Sequence, residues 1–212
     1  MRTKNIIACL LFLFAAQAVN AQNNADAIIQ VLVNQIKSHK NVEMTFSYQL
    51  TSDGNTTGNS EKGHAWLQGE AYKIEMAEQQ TISDGKTIWS YLIDEKEVMI
   101  SNATDGTDNT PLKLLTSLDK NYAATLTNID AQGIANIELA NPKGQYKRIT
   151  LKINTKKNEL KSADIYVEDN SKLVINVEDM KYDQALDDKF FTFDTKKHTS
   201  RSEERRVGKE CR

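Results

Sequence analysis

Three histidines, His39, His64 and His198, and two cysteines, Cys9 and Cys211, are the only residues of their types in this 212-residue chain. No pair among them has metal-ligand spacing, so no metal is expected. Asp94-Glu95-Lys96-Glu97 offers paired carboxylates that could exchange protons, but the run falls where a hairpin tip is expected and reads as a solvated turn. There is no Gly-rich phosphate loop and no nucleophile elbow. What the chain does carry is a set of large, adaptable apolar groups: Met44, Phe46, Trp66, Tyr72, Met76, Trp89, Tyr91 and Met99, then Leu112, Leu115 and Leu118. Such a set can surround hydrocarbon of variable shape without making or breaking a bond. Neither an enzyme activity nor a cofactor follows from it. The same residues could also pack on one another as a solid core.

Strands must position most of this set. Ser83 to Asn102 is the clearest stretch. Asp84-Gly85 signals a turn, Thr87 to Ile93 is β-branched and aromatic, Asp94 to Glu97 is a charged tip, and Val98 to Ser101 runs back. Trp89, Tyr91 and Ile93 alternate with Ile88 and Leu92, so both faces of this strand are apolar and both are expected to be covered. Val42, Met44, Phe46, Tyr48 and Leu50 alternate with polar residues, as a half-buried strand does. Ser52 to Ser60 reads as a long polar loop, and Gln68-Gly69-Glu70 as a tight hairpin between His64–Gln68 and Ala71–Ala77. Gln80 to Ser83 reads as a lead-in to the Ser83–Asn102 hairpin. From Tyr122 onward the chain predicts a meander, with strands at 122–128, 134–140, 145–154, 159–168 and 173–182, closed by Phe190-Phe191-Thr192-Phe193.

Two helices complete the pattern. Ile28, Leu32 and Ile36 recur at helical spacing, widened by Ile29 and Val33. Thr110-Pro111 is an N-cap and first-turn pair that opens a short helix bearing Leu112, Leu114, Leu115 and Leu118. The fold class expected is mainly β with two short helices: an incomplete antiparallel barrel of about eleven strands, since so large a sheet curls, closed by a helical lid.

The ends stand apart. Met1 to Ala21 has Arg2 and Lys4, an apolar run and Val19-Asn20-Ala21, the pattern of a cleavable signal peptide. Residues 22–200 are read as one domain. Residues 201–212 resemble the translation of a sequencing-library adapter that replaces the native C-terminus. The whole chain has 27 Lys+Arg and 29 Asp+Glu; without two basic residues of the leader and five basic and three acidic residues of the tail, 20 basic face 26 acidic. That balance argues against a nucleic-acid partner.

Asp84-Gly85-Lys86-Thr87-Ile88-Trp89, Asn109-Thr110-Pro111-Leu112 and Lys189-Phe190-Phe191-Thr192-Phe193 together resemble the periplasmic outer-membrane lipoprotein carrier family (LolA-like), over Ala25 to Thr195. The likeness is to members from Bacteroidetes-like Gram-negative bacteria. It implies a periplasmic monomer that binds the acyl chains of lipoproteins released by an inner-membrane exporter and carries them to the outer membrane. It leaves the outer-membrane receptor open. A lipid- or lipoprotein-sensing regulatory module with the same half-barrel is the alternative. The acyl lining is expected at the eleven residues from Met44 to Leu118 named above, and the lid at Ile28, Leu32 and Ile36. In the best-known relatives an Arg at the hairpin ties the lid to the barrel. Gly69 sits about there in this chain, so other contacts must serve. On this reading Trp89→Asp and Leu115→Glu should abolish acyl binding, and Asp94→Ala should not.

Overall fold

The computed structural model describes residues 24–52, 55–103, 122–142, 146–166, 171–194 and 205–206. Among the described residues, one helix, α1 (residues 24–38), precedes eleven antiparallel strands. These are β1 (Val42–Ser52), β2 (Asn55–Gln68), β3 (Ala71–Glu75), β4 (Gln79–Ser83), β5 (Thr87–Leu92), β6 (Glu97–Asn102), β7 (Ala123–Ile129), β8 (Ile134–Ala140), β9 (Arg148–Asn154), β10 (Glu159–Tyr166) and β11 (Ser171–Tyr182). They form a single sheet in the order β6-β5-β4-β3-β2-β1-β11-β10-β9-β8-β7. Two further residues, β12 (Arg205–Arg206), add in parallel outside β6. β7 and β6 do not pair with each other, so the sheet is an incomplete barrel. Register shifts interrupt the β1–β2, β1–β11, β7–β8 and β9–β10 ladders. Such bulges increase local twist and bend the strands that carry them.

Most elements lie where the residue pattern predicts them, and the differences are instructive. The expected loop from Ser52 to Ser60 is largely strand, because β2 begins at Asn55 and pairs with β1 up to Ser52. Thr favours strands, and pairing with a long partner overrides the poor strand preference of Asn and Gly here. Residues 79–83 form a strand of their own, β4. The charged tip turns at 93–96, and Glu97 pairs with Leu92. Phe190 to Phe193 is a turn, closed by hydrogen bonds from Phe190 N–H to Asp187 O and Thr192 N–H to Lys189 O. The leader, the Asn109-Thr110-Pro111 motif and the helix expected at 110–118, with Leu112, Leu115 and Leu118, lie outside the described residues.

The Asp84-Gly85 turn forms as its residues dictate. The Asp84 carboxylate accepts from the N–H groups of Lys86 at 2.8 Å and Thr87 at 2.7 Å. Gly85 has φ +89°, which a side chain would strain.

Residues opposite each other on a ladder share a face, and the side chains alternate. The face bearing α1 is the inner face. Ala25, Ile29, Leu32, Val33 and Ile36 of α1 form one buried cluster with Ala135, Ile137, Leu139, Ile149, Leu151, Ile153, Leu160 and Ala163. Ile29, Leu32, Ile137 and Leu139 have no exposed surface. Each contributes about 1.5–3 kcal/mol by burial. The helix therefore meets the β7–β10 half of the sheet in direct contact. Over β1 to β3, Phe46, Ala65, Leu67 and Tyr72 are buried on the same face but outside that cluster.

Phe46 lies across Gly63, so that a Cβ added there would come within 2.6 Å of the Phe46 Cε2 atom. Gly63→Ala should then lower stability by about 1–3 kcal/mol, the cost of overpacking. Combining it with Phe46→Leu should recover part of the loss. Urea midpoints of the three variants check this, and independent additive losses would refute the contact.

Candidate functional site

The expected lining divides between the two faces. Val42, Met44, Phe46, Tyr48 and Leu50 alternate on the inner face of β1. Their partners carry the face across the sheet: Leu67 opposite Val42, then Tyr72 opposite Leu67, Ser83 opposite Tyr72 and Ile88 opposite Ser83. Met44, Phe46, Tyr72, Met76 and Met99 belong to this face, together with Ile74, Ile88 and Leu92. Met99 is exposed, at 42 %.

Trp66, Trp89 and Tyr91 do not. Trp66 pairs with Lys73, Lys73 with Ile82 and Ile82 with Trp89, all with odd parity to the inner set. These aromatic groups point outward. The chain after β11 crosses over them: Phe190 meets Trp66 edge-on with centroids 5.3 Å apart, and Phe193 lies 5.9 Å from Tyr91. Phe191, Phe193 and Ile82 are buried there. Lys73 Nζ sits 4.9 Å from the Phe190 ring centroid and 5.5 Å from that of Trp66, with the Glu75 carboxylate 2.7 Å away. Both faces of β5 are covered in part, as its two apolar sides require, and every residue of β5 is half-buried. The outer cover is the C-terminal turn.

Of the residues expected in the lid, Leu32 and Ile36 belong to the solid core and Ile28 packs partly against it. Space remains elsewhere on the inner face. A half-open cavity of about 450 Å³ is lined by Tyr48, Leu50, Met76, Leu173, Gln79, Glu61 and Glu78, among others. This is within the size range of small-molecule sites. Leu50 and Leu173 face each other across the β1–β11 ladder, and Leu50 is 48 % exposed. Tyr48 is held in place by donating to Glu61 Oε2 at 2.6 Å and accepting from Ala77 N–H at 3.0 Å. Partial burial, then the Glu61 hydrogen bond, raise the Tyr48 phenol above its ordinary value. The floor of the cavity is hydrocarbon and its rim is polar, so it can hold an apolar chain by desolvation. Sequence reasoning missed Leu50 and Leu173 as lining. Their signal was the alternation already noted, without a partner to say which face was open.

At the other end of β1, a cavity of about 250 Å³ lies between the end of α1 and the β2–β3 hairpin, lined by Ile36, Lys37, Lys40, Val42, Leu67 and Gly69. Gly69 has φ +57° and open space where a Cβ would stand. Contacts to the end of β11 fasten this end of the helix. His39 Nδ1 is 2.8 Å from Asp183 Oδ2, Lys40 N–H donates to Asp183 Oδ1 at 2.7 Å, and the His39 ring stacks on Tyr182 at 4.2 Å. Asn41 donates to Gln184 O at 2.8 Å, and Gln184 N–H returns a bond to Asn41 Oδ1 at 2.9 Å.

The hydrogen bond from His39, followed by that from Lys40 N–H, holds the Asp183 carboxyl below its ordinary 3.8. A depressed carboxyl pKa adds stability above the unfolded value that disappears as pH falls through the folded one. Asp183→Asn should therefore flatten the acid side of the stability curve below about pH 4. Urea midpoints measured across that range check it; an unchanged acid limb would sink the assignment.

His64 lies beside Trp66 at 5.5 Å between centroids, and Asp94 and Glu95 are exposed in the turn. Among the described residues, no group of three or more His, Cys, Asp or Glu could hold a metal ion.

Comparison with known proteins gives a consistent picture. A family model described as "Outer membrane lipoprotein carrier protein LolA" matches residues 37–194. An outer-membrane lipoprotein carrier protein of Erwinia tasmaniensis is 31 % identical over 119 residues, 54 % of this chain and 56 % of that protein, so the match spans little more than half of that relative. A protein of the same description from Francisella tularensis subsp. novicida is 26 % identical over 196 residues, covering 90 % of this chain and 92 % of its own. Among solved structures, an uncharacterized conserved protein from Thermus thermophilus superposes with a TM-score of 0.54 at 11 % identity, covering 83 % of this chain and 98 % of its own. That last likeness concerns the fold.

Proposed function

Because the chain belongs to the outer membrane lipoprotein carrier LolA family, we propose that it binds the acyl chains of lipoproteins on the inner face of its sheet and carries them between membranes. The observation that supports this most is the cavity of about 450 Å³ floored by Leu50, Met76 and Leu173. It lies beyond the part of the face that α1 fills. We assign the acyl lining to the inner-face members of the expected set, Met44, Phe46, Tyr72, Met76 and Met99, with Tyr48, Leu50 and Leu173 added. Trp66, Trp89 and Tyr91 are left out.

Each methylene kept from water is worth about 0.8 kcal/mol, so an acyl chain of about 15 methylenes costs roughly 12 kcal/mol to expose. A carrier must hide most of that surface and still release it. An open-edged sheet with a partly open cavity suits both demands, and no bond need be made or broken. The compartment we infer is the periplasm, and the donor an inner-membrane exporter. Among the described residues, no helix is long and apolar enough to cross a membrane.

Purifying the protein from the envelope of a Gram-negative host, followed by mass spectrometry of what accompanies it, tests the reading. Acylated lipoproteins in stoichiometric amounts are expected. Protein that carries none, and that fails to take up a monomeric alkyl probe, would overturn it.

A further inference from the structure

Among the described residues, the charged groups lining the 450 Å³ cavity are all of one sign. Glu61 and Glu78 stand at its rim, with no Lys, Arg or His beside them in the lining. Both carboxylates are exposed. The lysine adjacent in sequence, Lys62, points to the other face and pairs with Glu178 at 3.1 Å. Glu75, the carboxylate nearest in sequence on β3, is likewise on the outer face, bonded to Lys73. Among the described residues, the inner mouth therefore keeps a net negative field, and Glu61 and Glu78 both help to raise the Tyr48 phenol.

We propose that Glu61 and Glu78 make this cavity selective for hydrocarbon chains whose polar end is cationic, and unfavourable to chains ending in an anion. The inference rests on the acyl-binding reading and adds the class of head group. A chain lying on Leu50, Met76 and Leu173 places its polar end toward Glu61 and Glu78, because those three side chains offer it no hydrogen-bond partner. An amino group or a basic peptide linker there meets two carboxylates. An anionic phospholipid head meets the same two as like charges. Lipoprotein N-termini carrying a free amine or basic residues would enter, and the acidic lipids that outnumber them in a membrane would be turned away. This is specificity by repulsion as much as by attraction.

Calorimetric titration of the full chain with three monomeric probes of equal chain length, decyltrimethylammonium, decyl maltoside and decanoate, tests this at neutral pH. At low ionic strength decyltrimethylammonium should bind about tenfold tighter than decanoate, with the gap shrinking as salt is added. In Glu61→Gln/Glu78→Gln the three probes should fall within about threefold of one another. Glutamine keeps an acceptor for Tyr48, so loss of the gap would not reflect a lost hydrogen bond. Equal affinities in the unaltered protein, or tighter binding of decanoate, would overturn the proposal and leave the carrier reading standing. Failure of all three probes, the neutral one included, would overturn both.

Discussion

Leu32→Asp should abolish cooperative folding, and Leu32→Ala should cost about 2–5 kcal/mol. Leu32 has no exposed surface and sits in the cluster that joins α1 to β8, β9 and β10. A carboxylate there has no cation among the cluster residues to pair with, and burying an unpaired charge exceeds the 5–15 kcal/mol that holds an ordinary domain together. The alanine variant keeps the fold measurable. Thermal and urea unfolding of both variants supply the test. A Leu32→Ala loss of under about 1 kcal/mol would mean that the helix rides loosely over the sheet, as a true lid would.

Met76→Glu and Trp89→Asp should have opposite signatures. Met76 lines the open cavity on the inner face, so a carboxylate there should weaken uptake of a neutral alkyl probe at least tenfold, about 1.4 kcal/mol, with little change in unfolding. Trp89 lies on the outer face beside Ile82, which is buried. Its replacement by Asp should lower stability by about 1–3 kcal/mol and leave probe affinity within about twofold. Titration and unfolding of the same two preparations separate the faces. If Trp89→Asp abolished uptake while Met76→Glu spared it, the inner face would not be the site.

That pair of expectations differs from what alternation alone suggests. Trp66 and Trp89 are as large and apolar as Phe46, and nothing in their spacing says which side of the sheet is hollow. Parity along β1 and β2 separates Leu67 from Trp66 without effort. What parity lacks is the cover: the outer side is roofed by Phe190 and Phe193, more than ninety residues further along the chain. Phe190-Phe191-Thr192-Phe193 reads from the sequence only as a closing apolar run, and it is a turn whose Phe190 and Phe193 rings lie against Trp66 and Tyr91. By contrast, β8 was legible to the residue, and β9 was legible except that it starts at Arg148 and not at Gln145. Ile137 and Leu139, like Ile149, Leu151 and Ile153, are separated by residues that face the other way, and one buried side suffices to fix such a strand. Ile29, Leu32 and Ile36 were equally legible as one helical stripe. That the stripe lands on β8 to β10, and not across the whole sheet, depends on long-range packing that no local pattern encodes.

The ladder between β1 and β11 has a bearing on how the molecule comes into being. Val42 is opposite Tyr182, and the nearby pair His39 and Asp183 is separated by 144 residues in sequence. Ribosomes add about 5–20 residues per second, so the first strand made waits on the order of ten seconds for its second neighbour to exist. Contacts this remote also slow the search once the chain is whole. Until then the free side of β1 is an unpaired, sticky margin. The nascent chain should consequently need an escort, and its refolding after dilution from denaturant should be slow and sensitive to protein concentration.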